Sequence, residues 1–252
     1  MCSQLGCAAM GPEIRVEIRD FGDAGSAPTA LPFNVVHAWW RSLREPDAVV
    51  RACYELLSRE ERERASRYRV EGPREDFILT RGTLRSLLAG YQQKTPKELT
   101  FQLTEYGKPF IAGPCDLRFN VSHTDGLALL AFVRQREIGV DVERIRPEPD
   151  AQKLAERFFS LHERRALENL NGDELQTAFF RCWSRKEAYI KARGGGLSLA
   201  LDQFDVSIEA NESRVLLATR PDPAEANRWV VRDLATRPEY AAAVAVATAV
   251  DG

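Results

Sequence analysis

Trp183-Ser184-Arg185-Lys186-Glu187-Ala188-Tyr189-Ile190-Lys191 is the stretch around which the rest of the chain is organised. Its residue types and spacing are those of the C-terminal half of a helix. Glu187 lies four residues after Trp183 and four before Lys191, so all three share one face. Lys186, four after Cys182 and four before Ile190, falls at the edge of the apolar stripe, where a charge is costly unless paired or used. Arg193 and then Gly194-Gly195-Gly196 supply a last-turn cation and a glycine stop. Alone, the pattern reads as a Glu187–Lys191 pair decorating an amphipathic surface helix.

The rest of the chain changes that reading. In Ile138-Gly139-Val140-Asp141-Val142-Glu143 the alternation is strict: Ile138, Val140 and Val142 point one way, Asp141 and Glu143 the other. Two carboxylates on one strand face repel each other. Solvent, a basic partner or a divalent cation would each resolve the repulsion. With no histidine or cysteine beside them, these hard oxygen donors suit Mg²⁺ better than zinc, and Glu187 is the natural third acid. Phe119-Asn120-Val121-Ser122-His123 ends a strand just before an Asp125-Gly126 hairpin turn. Ser122 and His123, as strand neighbours, point apart and cannot form a catalytic dyad. Either they cap and solvate the turn, or both donate to a phosphate. Gly107-Lys108-Pro109 joins a glycine that permits close backbone approach to a point charge suited to phosphate, although turn lysines are usually just solvated. Arg64, Arg67, Arg74, Arg81 and Arg85 make residues 59–85 basic. Arg81 falls within the apolar periodicity of its helix, as an anion-directed arginine or as part of a salt-bridged face.

The chain has 252 residues, 44% of them hydrophobic, and a formal net charge of -2. That fits one large domain or two packed smaller ones, and gives no global basic field for nucleic acid. The five cysteines are odd in number and contain no CxxC, which argues against a disulfide framework or zinc site and for a reducing cytoplasm. No apolar run reaches membrane-spanning length and no signal peptide is recognisable. Strands are expected at Ile14–Ile18, 34–40, 100–103, 117–122, 127–133, 138–143, 199–208, 215–218, 229–234 and 241–250. Helices are expected over 46–70, with Ser58 as a helix cap before Arg59-Glu60-Glu61, and over 73–92, 150–168 and 173–193. Helices with mostly antiparallel strands, in two successive halves, give an α+β class without a visible sequence repeat. The expected division is an extension over 1–30, partly flexible, an N-terminal half over 31–137 and a C-terminal half over 138–252.

Taken in order, the GKP turn, the FNVSH strand end, the GVDVE strand and WSRKEAYIK resemble the Sfp-type (surfactin-type) 4'-phosphopantetheinyl transferases. The likeness extends to the arginine-rich helices, to Arg157-Phe158-Phe159-Ser160 and to Gly196-Leu197-Ser198-Leu199, and covers roughly residues 35–250. It implies a pseudo-dimeric fold of two similar α+β halves, with the active site in the cleft between them. It implies a monomeric holo-[acyl-carrier-protein] synthase activity: the phosphopantetheine arm of coenzyme A passes to a serine of an apo acyl or peptidyl carrier protein, leaving adenosine 3',5'-bisphosphate. By the same likeness Asp141, Glu143 and Glu187 hold Mg²⁺, with Mn²⁺ as the alternative ion. Gly107, Lys108, Ser122 and His123 meet the coenzyme, Arg64 and Arg81 lie near its 3'-phosphate, and Lys186 and Lys191 approach the pyrophosphate. Glu187, or a metal-bound water, takes the serine proton. An acidic carrier would dock near residues 144–166. Glu61 departs from the pattern, standing where some relatives carry a basic residue. A Mg²⁺-dependent nucleotide phosphohydrolase and a non-catalytic coenzyme A-binding module are the competing readings of the same acids.

Overall fold

The computed structural model describes residues 14–22, 30–196, 199–210, 212–234 and 237–249. Cys2, Cys7, most of the expected extension over 1–30, and Leu197-Ser198 lie outside the described residues.

The N-terminal half runs β1 (Arg15–Asp20), β2 (Val35–Ser42), α1 (Asp47–Glu55), α2 (Arg59–Ser66), α3 (Glu71–Gln92), β3 (Phe101–Leu103), β4 (Pro109–Ile111), β5 (Leu117–Thr124) and β6 (Leu127–Arg134). The C-terminal half runs β7 (Ile138–Arg144), α4 (Ala151–Phe158), α5 (Leu161–Leu167), α6 (Gly172–Arg193), β8 (Phe204–Val206), β9 (Leu216–Thr219), β10 (Trp229–Asp233) and β11 (Tyr240–Ala247). This is an α+β architecture. One sheet has the order β1-β2-β6-β5 and the second β10-β11-β7, with β3-β4 and β8-β9 as separate hairpins. β1 pairs in parallel with β2, so residues 15–20 form the edge of the first sheet and do not belong to a separate extension.

Local chemistry explains where the helices break. The expected helix over 46–70 is interrupted at Ser58, whose hydroxyl accepts from the Glu61 N–H while Glu61 reaches back to the Ser58 N–H. Ser160 and Glu163 repeat this reciprocal cap and split the helix expected over 150–168. α6 ends on Gly194 in the left-handed conformation, φ 72°. The strand expected over 199–208 is shorter. A 3₁₀ turn at Leu201–Gln203 precedes β8, because the carbonyls of Leu201 and Phe204 turn inward to a buried ammonium.

Three cores result. α1 and α3 cover one face of the first sheet through Leu79, Leu84, Leu88, Ala128, Leu130 and Phe132. α6 lies on the second sheet over Ala241, Ala243 and Ala245, whose small side chains let the helix come close. Between the halves, Leu127, Leu129 and Val133 of β6 meet Ile138, Val140 and Val142 of β7 and Val244 and Val246 of β11. Each fully buried aliphatic side chain contributes ~1.5–3 kcal/mol, so this middle core is what binds the halves together. It also fixes the alternation of β7: with Ile138, Val140 and Val142 facing inward, Gly139, Asp141 and Glu143 face α6.

Candidate active site

Gly139 sets how near the acids of β7 stand to those of α6. A Cβ built on it would lie 2.2 Å from both the Ala188 carbonyl oxygen and the Ala192 nitrogen. Only glycine permits this backbone-to-backbone approach. It brings Asp141 and Glu143 beside the helix face that carries Glu187 and Lys191.

Asp141 and Lys191 form the centre. Asp141 is 3% exposed. Its Oδ1 accepts from Lys191 Nζ at 2.6 Å and from Ser122 Oγ at 2.9 Å, and Lys191 Nζ also reaches Ser122 Oγ at 3.1 Å. Its Oδ2 is buried with no hydrogen-bond partner among the described residues. In place of the expected Glu187–Lys191 surface pair, Lys191 of α6 pairs with Asp141 of β7. Burial, and then the charge of Asp141, push the Glu143 carboxyl up to about 6, against Arg146 and Lys191, which pull it down. Glu187 is raised as well, first by burial and then by Asp141, with Lys191 opposing. Both outer acids thus feel the same pair at the centre. Among the described residues, no three His, Cys, Asp or Glu side chains are grouped tightly enough to cage a metal ion by themselves. The set is hard oxygens, one of them orphaned, with Glu143 and Glu187 partly exposed. Mg²⁺ commonly uses one or two protein carboxylates together with phosphate oxygens and water, so the residues present fit it.

Two cavities flank β4. One, of about 510 Å³, is lined by Arg64, Tyr68, Phe77, Arg81, Pro109 and His123. It gathers the exposed His123 and two of the expected arginines. Arg64 lies over the Phe77 ring at 5.0 Å. Arg81 is held by Glu61 and lies over Phe101 at 4.2 Å. Glu61, also bound by Arg85, is thus the partner that the apolar position of Arg81 required. The second cavity, also about 510 Å³, contains Lys108, Cys115, Arg118, Glu137 and Arg193, and shares Pro109 with the first. Lys108 Nζ is 2.6 Å from Glu137 Oε2. The structure therefore places Lys108 in a different cavity from Arg64, Arg81 and His123. Gly107 supplies the turn, with φ 81°.

Lys186 needs correction. Its side chain is fully buried, 2.6 Å from Glu163, and donates to the carbonyls of Leu201 and Phe204 at 2.8 and 2.7 Å. One residue from Glu187 on a helix is about 100° round the axis, so it faces the core and cannot approach a ligand. Trp183 packs among Phe158, Phe159 and Phe179. Glu61 and Glu163 were missed as buried partners, although the Ser-x-x-Glu spacing of each is visible in the sequence.

Residues 40–135 match the family model for the 4'-phosphopantetheinyl transferase N-terminal region, and residues 137–245 match the 4'-phosphopantetheinyl transferase superfamily. The 4'-phosphopantetheinyl transferase HetI of a Nostoc species is 36% identical over 215 residues, 84% of this chain and 87% of that protein. A putative 4'-phosphopantetheinyl transferase of a Synechocystis species, slr0495, is 35% identical over 69% of this chain and 70% of its own. The 4'-phosphopantetheinyl transferase Sfp of Bacillus subtilis is 36% identical over 61% of this chain and 67% of its own. With both halves matched and a relative aligned over nearly its whole length, this chain belongs to the 4'-phosphopantetheinyl transferase family and is a phosphopantetheine-transferring enzyme.

Proposed function

We propose that the donor is coenzyme A, that the acceptor is a serine of an apo acyl or peptidyl carrier protein, and that the reaction takes place where Asp141, Lys191 and Ser122 meet. The observation that carries this reading is Lys191 Nζ at 2.6 Å from a buried carboxylate that keeps one oxygen unpartnered. A lysine and a hydroxyl at the mouth bind phosphate oxygens, while acids beside them accept a proton.

In this reading Arg64, Arg81 and His123 line the cavity for the nucleotide end of the donor, and His123, with Ser122 once its hydroxyl turns from Asp141, donates to its phosphates. Asp141, Glu143 and Glu187 would hold Mg²⁺, or Mn²⁺ in its place. When bound, the ion offsets negative charge on the pyrophosphate. The serine Oγ forms a bond to the phosphorus that carries the pantetheine arm, and the bond from that phosphorus to the bridging oxygen breaks. The serine proton passes to the Glu187 carboxylate. A carboxyl raised by burial is a stronger base than an ordinary glutamate. The ammonium of Lys191 stabilises charge on the departing adenosine 3',5'-bisphosphate, and so sits by the leaving group. Gly107 shapes the turn at the cavity edge, and Lys108 balances Glu137 in the neighbouring cavity. The division at residues 137 and 138 gives each half a share of the site: Ser122 and His123 from one, the acids and Lys191 from the other. The carrier docks along α4 and α5, where Leu161 is exposed beside Arg164 and Arg165.

A panel of purified apo-carriers incubated with coenzyme A and Mg²⁺, with the mass gain of each measured, tests the reading. Wild-type enzyme should convert at least one carrier, and Glu187→Gln and Asp141→Ala should convert none while remaining folded. A fully active Glu187→Gln variant would remove Glu187 as base and ligand. Fast hydrolysis of coenzyme A without any carrier would favour a phosphohydrolase instead.

A further inference from the structure

The two sheets meet edge to edge at β5 and β7 without sharing a backbone ladder, since each strand is the last of its own sheet. Side chains cross the seam instead. Asn120, Ser122 and Thr124 occupy every second position of β5 and so share one face. Asn120 Oδ1 accepts from the Val140 N–H at 2.9 Å, and this bond is buried. Ser122 Oγ donates to Asp141 Oδ1. Thr124 Oγ1 accepts from the Arg144 N–H at 3.3 Å and lies 3.5 Å from Glu143 Oε2. The outer rungs thus hold backbone positions on either side of the Asp141–Glu143 pair. Backbone pairing would set the strands about 4.7–4.9 Å apart. Here an amide and two hydroxyls take the place of that backbone pairing.

We propose that Asn120 and Thr124 are positioning residues for the transfer reaction. They fix the place of β7, and with it the distance of its two carboxylates from Ser122, Lys191 and Glu187. Neither side chain is assigned a contact with substrate. Removing Asn120 leaves a buried N–H without a partner next to Asp141, and the strand must shift to satisfy it. This inference rests on the assignment of Asp141 and Glu143 to the site.

The test uses the full chain with Asn120→Ala, Thr124→Val and Thr124→Ser. Asn120→Ala should lower kcat for holo-carrier formation about tenfold or more while KM for coenzyme A stays within about threefold. In an electron paramagnetic resonance titration it should weaken Mn²⁺ binding by about 10–100-fold, as loss of a group that orients metal ligands does. Thr124→Val should lower kcat about threefold, and Thr124→Ser should restore it. Asn120→Ala with wild-type kcat and Mn²⁺ affinity overturns the proposal. So does a pair of variants that melt earlier yet keep both values, since the seam would then be structural only. If Asn120→Ala does not fold, the contrast between Thr124→Val and Thr124→Ser decides. Failure of the underlying assignment looks different: the wild-type protein then binds no Mn²⁺ and Glu187→Gln stays active.

Discussion

Each half of the molecule contains the same device, used to different ends. In both, a serine caps a short helix, the glutamate three residues on closes the cap, and that glutamate is also seized by a cation from a 22-residue helix. In the N-terminal half the glutamate is Glu61 and the cations are Arg81 and Arg85. In the C-terminal half they are Glu163 and Lys186. The Glu163–Lys186 pair is sealed, with both side chains at 0% exposure, whereas Arg81 keeps 21% and lines a cavity. The sealed version anchors α6 with Lys186 inward, and the next residue, Glu187, lies on the side of Asp141 and Lys191. The open version leaves an arginine at a cavity's edge.

That contrast can be broken most severely at the sealed pair. Glu163→Ala leaves the Lys186 ammonium buried with only carbonyl partners and should cost ~3–5 kcal/mol in urea denaturation. The double change Glu163→Leu with Lys186→Met should recover much of that loss, because it removes both charges at once.

Acid should expose the N-terminal half through His37. Its imidazole is pushed down from 6.5 to about 4, mainly by burial and then by Arg19, against Glu17. The unfolded chain therefore takes up this proton first as pH falls. Stability is full above about 6.5 and should fall by up to ~3 kcal/mol as pH drops towards 4. Denaturation midpoints measured across that window should slope upward with pH, and His37→Gln should flatten the slope.

At the open pair the effect should be milder. Glu61→Ala leaves Arg85 donating to the Pro96 and Leu99 carbonyls, and a loss of ~1–3 kcal/mol is expected. Freed of Glu61, Arg81 should also change KM for coenzyme A, which steady-state kinetics would detect. The caps themselves should matter least: Ser58→Ala and Ser160→Ala should each cost ~1 kcal/mol in thermal or chemical denaturation. Equal losses at the two caps would show that the halves differ only in their buried cations.

The repeating periods of the sequence carried most of the architecture. The alternation from Ile138 to Glu143 separates three apolar residues from two acids, and in the structure Ile138, Val140 and Val142 enter the middle core while Asp141 and Glu143 lie on the side of Lys191. The glycine stop after Arg193 also holds. What spacing could not convey was direction around a helix when polar and apolar faces meet. Lys186 lies beside Glu187 in sequence, and only the presence of Glu163 on another helix turns it inward. Lys108 likewise looked available until Glu137, far along the chain, claimed it. The short strand at Pro109–Ile111 has too few residues to show a period, and the parallel pairing of β1 with β2 depends on a partner beyond a loop. Partners distant in sequence settle such cases.

Gly139 acts as the gauge of this enzyme. With a methyl group there, two main chains now close enough to put a Cβ 2.2 Å from their atoms would have to part by roughly an ångström to reach an ordinary contact. Asp141 and Glu143 of the strand would part from Glu187 and Lys191 of the helix. One hydrogen in place of a methyl therefore sets the spacing of the four side chains of the proposed site, none of which belongs to that residue.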